Sequence, residues 1–201
     1  ADINISDNDG LAPLHVASLE NLPEMVGLLL NNGAELNAPD KDGYTPLHIA
    51  IDQNSFNAAD ELLEAGANVF SRAKWMHTPL HTSVGTGSIQ MVKKILGEGG
   101  ELNSKDKLGR TPLHWAAEKG YLKIAKYLIR KGANINAADN EGETPLHDAV
   151  QWGNKQIVEL LISKKAKINK KGSDGRAPLH KAIASGNIDI VNLLKIHGAL
   201  L

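Results

Sequence analysis

Residues 111–114 read Thr-Pro-Leu-His, and this short stretch returns at a fixed interval of 33 residues along the whole chain. The other five copies begin at Ala12, Thr45, Thr78, Thr144 and Ala177. A constant period over the full length indicates a solenoid, in which each repeat is one supersecondary unit stacked on its neighbours. The period therefore predicts the fold class before any other motif is considered.

The fourth copy shows what one repeat builds. Residues 106–109 (Asp-Lys-Leu-Gly) form a predicted turn. Thr111 is expected to cap the first helix through its hydroxyl, and Pro112 takes the first helical position, where its missing N–H costs nothing. Gly120 and Gly132 are expected to end the first and second helices in the left-handed conformation. Each repeat is thus predicted to be a helix, a turn, a second helix and a hairpin-like segment.

The helix stops recur in the other repeats with one departure. Asn21 and Asn54 replace glycine after two of the first helices, and asparagine tolerates the left-handed conformation well. Lys165 stands where the second helix of the fifth repeat should end. We expect backbone strain at that lysine if the geometry is kept.

The Thr-Pro-Leu-His runs, the Asp-x-x-Gly turns and closing segments such as Gly-Ala-Asn-Ile-Asn (132–136) resemble the ankyrin repeat over the whole chain. The resemblance implies an all-α repeat protein, an elongated and curved solenoid of helix-turn-helix units joined by β-hairpin-like fingers. The predicted boundaries are 1–6 for the tail of a truncated preceding repeat, then repeats at 7–39, 40–72, 73–105 (with a divergent finger), 106–138, 139–171 and 172–201.

The two ends of the chain carry different expectations. Residues 1–6 match the end of a preceding repeat, so the chain is expected to be a fragment of a longer array or multidomain protein. Lys195 occupies a second-helix position that is Leu or Ile in the other repeats. A polar outward residue is what a capping repeat needs, so the sixth repeat is a candidate C-terminal cap; chance variation is the alternative.

Composition excludes several classes of protein. The chain has no cysteine, which rules out disulfides and thiolate metal sites. No stretch approaches the roughly 18 apolar residues of a spanning helix. The opening residues do not have a signal-peptide pattern, so none is expected there. We expect a cytoplasmic or nuclear location, or the host cytosol if the protein is a secreted effector.

Six of the eight histidines occupy one equivalent position: His15, His48, His81, His114, His147 and His180. Packed helices lie about 8–10 Å apart, whereas Zn–N bonds are about 2.0–2.1 Å, so these side chains cannot converge on one metal. The resemblance implies a structural role, hydrogen-bonding near the hairpin. His77 and His81 have i, i+4 spacing, but His77 precedes the capping Thr78 and should lie in a loop with no third ligand nearby.

No nucleophile elbow, phosphate-binding loop or zinc-protease motif is present. Catalysis needs unlike groups that converge in a pocket, and a repeat array supplies like groups in a row. The sequence therefore predicts a protein that is not an enzyme and needs no cofactor or metal.

The resemblance places binding residues at the turns and just before each first-helix stop. In the third repeat Ala73-Lys-Trp-Met76 replaces Asp-x-x-Gly, which puts large apolar groups at a turn. Such groups are favoured interface anchors; the alternative is that Trp75 and Met76 pack against the neighbouring finger. The predicted anchors are Tyr44, Trp75, Met76, Leu108 and Trp152, with His77 beside them and Lys74, Lys107 and Arg110 selecting charge. Trp115 is expected to pack internally.

Charge is segregated along the chain although the net value is −1. Residues 1–70 contain twelve acidic residues and one lysine, a balance of −11, and residues 71–201 contain eleven acidic and twenty-one basic residues, a balance of +10. Such fields steer charged partners, so a partner that is bipolar in charge is expected. The alternative is that most charges lie on solvated outer faces.

The function predicted from these features is a non-catalytic, monomeric scaffold that binds a partner protein or peptide on its concave face. The alternative is a targeting or autoinhibitory arm of a larger enzyme, channel or secreted effector. Lysines 164, 165, 167, 170 and 171 could also contact nucleic acid, but no aromatic residues lie between them as a stacking platform. An acidic protein surface, rather than nucleic acid, is therefore the expected complement of these lysines.

Overall fold

The computed structural model describes residues 2–201, and within that range the chain forms twelve α-helices and no β-strand. The helices divide between two compact units, of which the first extends to Glu101 and the second covers Leu102–Leu201. The first unit contains α1 Pro13–Leu19, α2 Pro23–Asn31, α3 Pro46–Asp52, α4 Phe56–Glu64, α5 Pro79–Gly85 and α6 Ile89–Gly97. The second contains α7 Pro112–Lys119, α8 Leu122–Arg130, α9 Pro145–Gln151, α10 Lys155–Ser163, α11 Pro178–Ala184 and α12 Ile188–Ile196.

Each unit is built from helix pairs stacked in sequence order. Within the first unit α3 packs between α1 and α5, and α2 packs on α4. Within the second unit α9 packs between α7 and α11, and α10 packs between α8 and α12. Both units therefore have one row of odd-numbered helices and one row of even-numbered helices, as the repeat period predicts. None of the helices within residues 2–201 has the length and apolar content needed to cross a membrane.

The core comes from the repeated apolar positions. The leucine of every Pro-Leu-His run is at most 1 % exposed: Leu14, Leu47, Leu80, Leu113, Leu146 and Leu179. On α8 the buried face is Ile124, Ala125 and Leu128, at helical spacing. Full burial of a Leu or Ile side chain contributes about 1.5–3 kcal/mol, and the facing surface is supplied by the neighbouring pair.

The odd-numbered helices begin at proline as expected, and Thr111 caps α7 in a capping box with His114, whose Nδ1 accepts the Thr111 backbone N–H. Thr111 Oγ1 also lies 2.9 Å from His114 Nδ1. The same capping box begins α3, α5 and α9 at Thr45, Thr78 and Thr144, and Thr78 Oγ1 accepts the His81 backbone N–H at 3.5 Å.

The helix stops adopt the left-handed conformation that the sequence indicates. Gly120 has φ 76° and Gly132 has φ 95°. Asn21 and Asn54 take φ 53° and 58° in the equivalent places after α1 and α3. Lys165 keeps the geometry with φ 65°, in a region that is strained for a residue with a Cβ.

Candidate functional site

The recurring histidines lie at the N-termini of the odd-numbered helices. His114 Nδ1 accepts a hydrogen bond from the Thr111 backbone N–H at 3.0 Å. Because a backbone N–H can only donate, the ring proton is on Nε2, which donates to the Glu143 carbonyl at 3.3 Å. The equivalent Nε2 atoms bond backbone carbonyls in the same way: His15 bonds Tyr44, His48 bonds His77, and His147 bonds Arg176. Each of these histidines thus links its helix to the following repeat.

Burial keeps the imidazoles of His48 and His114 neutral at physiological pH. It lowers the pKa of His48 to about 4 and that of His114 to about 4, although a backbone carbonyl accepting from each ring partly opposes the shift. The rings of His77 and His81 stack with centroids 6.2 Å apart. Among residues 2–201 no group of three or more His, Asp or Glu side chains is arranged to hold a metal ion.

The turns before the odd-numbered helices are here called fingers: residues 7–11, 40–44, 73–77, 106–110, 139–143 and 172–176. In the fourth finger Asp106 Oδ1 accepts the backbone N–H groups of Leu108 and Arg110, both at 2.9 Å. The first, second and fifth fingers repeat this arrangement around Asp7, Asp40 and Asp139. One aspartate therefore fixes the shape of each of these turns.

Neighbouring fingers within a unit are joined through their backbones. Lys41 N–H donates to Asp9 O at 3.2 Å, and Lys74 N–H donates to Asp42 O at 2.7 Å. In the second unit Asn140 N–H donates to Leu108 O at 2.9 Å, and Ser173 N–H donates to Glu141 O at 2.7 Å. The finger tips are therefore held in register, so side chains at equivalent positions form rows.

The third finger differs from the first, second, fourth and fifth because Ala73 has no carboxylate to organise the turn. Residues Lys74–Met76 form a 3-10 turn in which Trp75 has φ 63° and Met76 has φ 59°. The Trp75 side chain is 51 % exposed and that of Met76 is 45 % exposed. Both expected anchors thus present about half of their surface to solvent, while Lys74 pairs with Asp42 at 3.0 Å.

Tyr44 lies in the second finger, partly buried, with its ring edge against His48 at 5.8 Å between centroids. Burial raises the pKa of the Tyr44 hydroxyl, and the charges of Asp52, Asp42 and Asp40 raise it further against a smaller opposing effect of Lys74. The surroundings of this expected binding residue are therefore electrically negative.

Arg110, expected to select partner charge, is held inside a network of the second unit. Its guanidinium contacts Glu118 at 2.6 Å and Asp106 at 3.3 Å. It also lies over the Trp115 ring, 5.3 Å from the centroid, while Trp115 Nε1–H donates to Asp106 Oδ2 at 3.0 Å. Arg110 and Trp115 thus brace the fourth finger against α7.

Asp148 is a candidate residue that sequence reasoning missed. Its Oδ2 is buried and makes no hydrogen bond within residues 2–201. Burial raises the pKa of Asp148 to about 8, and the charges of Asp139, Glu143 and Glu118 add to the rise while Arg110 opposes it. The one signal available was an acid directly after His147, where other repeats carry residues such as Ile49 or Trp115.

The remaining expected site residues lie at the surface of the second unit. Lys107 is exposed, and Leu108 at the fourth finger tip is 52 % exposed. Trp152 follows α9 and is 62 % exposed, one turn beyond Asp148, to whose carbonyl its N–H donates at 3.0 Å. The second unit therefore shows an aromatic and a leucine side chain beside an internally paired charge network.

Comparison with known families identifies the repeat. A family model described as "Ankyrin repeats (3 copies)" matches residues 1–73, 66–139 and 131–200, and so spans nearly the whole chain. No curated protein matched the sequence. The period, the left-handed helix stops and the helix pairs agree with that match, and the chain belongs to the ankyrin-repeat family.

Proposed function

We propose that this protein is a non-catalytic scaffold that binds a partner protein or peptide on its finger face. The finger face of each unit consists of the finger tips and the row of odd-numbered helices, the side that such solenoids use as a concave binding surface. Ankyrin repeats are general protein–protein interaction modules and are typically non-catalytic. We also infer that each helix pair with its finger is one repeat, six in total, with the boundaries predicted above.

The observation that carries the proposal is the third finger. Trp75 and Met76 are held half-exposed on a backbone in which both have positive φ. Such conformations cost roughly 1–3 kcal/mol each and cluster at functional sites. Aromatic side chains that are already positioned lose little entropy on binding and are favoured as hot spots.

Around this anchor we assign Tyr44, Lys74 and His77 to the binding surface of the first unit. In the second unit we assign Lys107, Leu108, Arg110 and Trp152. The exposed lysines can reach a partner directly. Arg110 contributes through the shape of the fourth finger as well as through its charge, because Asp106 and Glu118 hold its guanidinium.

The test is affinity capture from a lysate of the cells of origin with three forms of the protein. These are the wild type, the double variant Trp75→Ala/Met76→Ala, and the control Phe70→Ala, whose side chain is 52 % exposed outside the finger face. All three must first unfold at the same temperature. We expect a protein that the wild type and the control recover and the double variant loses; recovery by all three forms would remove the third finger from the site.

A further inference from the structure

We propose that the finger face of the first unit recognises a protein segment that presents a lysine or arginine beside a large apolar side chain. This inference rests on the function proposed above and adds the chemistry of the partner. It is carried by the placement of uncompensated carboxylates around the apolar side chains of this face.

The apolar part of the surface follows the row of odd-numbered helices and fingers. Val16 and Leu19 on α1 are exposed, and the half-exposed Trp75 and Met76 lie in the third finger. Tyr44 comes from the second finger, which the Lys74–Asp42 ion pair and the Lys74 N–H to Asp42 O bond join to the third. A partner side chain of comparable size can bury apolar area against these groups.

The acidic part of the surface is interleaved with the apolar part. Asp9 is at the first finger tip, Glu20 follows α1 and Asp52 ends α3, and all three are exposed. Within residues 2–201 none of these three carboxylates forms an ion pair, whereas Asp42 is paired with Lys74. The negative charge of this face is therefore available to a partner.

Asp52 is exposed at the end of α3, the helix that follows the finger of Tyr44. After burial, the charge of Asp52 is the main influence that raises the pKa of the Tyr44 hydroxyl. The hydrogen bond that Asp52 receives from its own neighbour, Gln53 Nε2 at 3.2 Å, leaves its charge unneutralised. A lysine or arginine can lay its aliphatic stem along an aromatic ring while its charged group meets a carboxylate.

The rest of the first unit reinforces this preference. Residues 1–101 contain fourteen acidic and five basic residues. On the finger face the basic residues are Lys41 and the paired Lys74, within the described part of the chain. Acidic peptides and nucleic acid are repelled by such a field, whereas a basic segment is steered toward it.

The experiment uses a displayed library of random linear peptides selected against the wild-type protein. Enriched peptides are then synthesised and titrated against the wild type, Asp52→Asn, Trp75→Ala and the control Glu64→Gln. Glu64 is an exposed carboxylate of the same unit at the end of α4, outside the finger face. All four forms must show the same unfolding midpoint.

We expect the enriched peptides to share a lysine or arginine next to an aromatic or aliphatic residue. Asp52→Asn should weaken their binding about threefold, as expected for loss of a partly solvated ion pair. Trp75→Ala should weaken it about tenfold or more, as expected for a hot spot. Glu64→Gln should change nothing, and raising the salt should reduce the Asp52 effect.

The other outcomes are distinguishable. Acidic or uncharged peptides that depend on Trp75 would overturn the partner chemistry and leave the proposed function standing. Peptides that depend on neither Trp75 nor Asp52, or no enriched peptide at all, would overturn both. Residues 102–201 carry seventeen basic and nine acidic residues, so a second copy of the chain could also supply basic groups. Wild-type self-association in sedimentation, abolished by Asp52→Asn, would identify a second copy as the occupant and would overturn the proposal of a separate partner.

Discussion

The third and fourth fingers occupy equivalent places in the repeat period but hold their shape by different means. In the fourth, Asp106 accepts two backbone N–H groups and Gly109 takes φ 79° without strain. In the third, Ala73 offers no carboxylate and Met76 takes φ 59°. The fourth finger is thus built to be stable, whereas the third keeps large apolar side chains in a strained turn.

The pairing of charged side chains also differs between the fourth finger and the finger face of the first unit. Around the fourth finger, Arg110 is shared between Asp106 and Glu118. Lys181 on α11 pairs with Glu143 of the fifth finger at 2.5 Å. On the finger face of the first unit, Asp9, Glu20 and Asp52 have no such ion pairs within residues 2–201. Around the fourth finger, the charged groups bond to one another and so stabilise the structure. On the finger face of the first unit, they stay exposed beside apolar side chains, which suits that face to binding.

The largest expected effect on stability comes from substitution of Asp148, whose carboxyl forms no ion pair in the network of the second unit. Its pKa in the folded protein, about 8, lies above the usual value of 3.8. Between those pH values the unfolded chain ionises while the folded carboxyl stays protonated, so the free energy of unfolding falls as pH rises. Asp148→Asn removes this titration, and the variant should be more stable than wild type by several kcal/mol at pH 8.

The measurement is urea denaturation of both proteins from pH 4 to pH 8. The advantage of Asp148→Asn should fall to less than about 1 kcal/mol at pH 4, because the carboxyl of the unfolded chain, with a pKa of 3.8, is only partly ionised there. Parallel stability profiles across this range would show that the carboxyl is ionised and solvated in the folded protein.

Removal of the Asp106 carboxylate tests the main structural difference between the fourth finger and the third. Asp106→Ala deletes two backbone hydrogen bonds, the bond from Trp115 and the ion pair with Arg110. Buried hydrogen bonds to a charged group contribute about 1.5–3 kcal/mol each and are not additive, so we expect a total loss of about 3 kcal/mol, measured by urea denaturation.

The matched control for Asp106 is Asp174→Ala in the sixth finger. Asp174 is exposed and its Oδ1 accepts one backbone N–H, from Arg176 at 2.9 Å. Its removal should cost less than about 1 kcal/mol. Equal losses from the two substitutions would contradict the assignment of a special structural role to the fourth finger.

The reciprocal change converts the third finger into the common form. Ala73→Asp supplies the missing acceptor, and Met76→Gly removes the Cβ from a left-handed position. Together they should stabilise the protein by about 2 kcal/mol, roughly half from relief of strain and half from the new bonds. Partner binding should weaken, and Met76→Gly alone separates the two contributions; a destabilised double variant would show that Met76 packing outweighs its strain.

Local rules account for what the sequence predicted well. Helix starts at Pro112, stops at Asn21 and Gly132, and the strained stop at Lys165 each depend on a few consecutive residues. The burial of Asp148 could not be predicted, because it depends on side chains brought together from α7, α9 and two fingers. The third finger was recognised from its missing Asp and Gly, but whether Trp75 pointed outward required the structure.

The smallest expected effect tests whether strain alone marks a functional turn. Lys165 shares the left-handed backbone of Met76, with φ 65°, but it ends α10 and lies outside the finger face. Lys165→Gly should stabilise the protein by about 1 kcal/mol and leave peptide binding unchanged. The reverse change, Gly132→Lys, should cost about the same, since a Cβ there meets no atom within 4 Å among the described residues and φ alone opposes it. If Lys165→Gly also weakened binding, a strained backbone would no longer distinguish the third finger, and only the exposure of Trp75 and the charges around it would mark it as a binding residue.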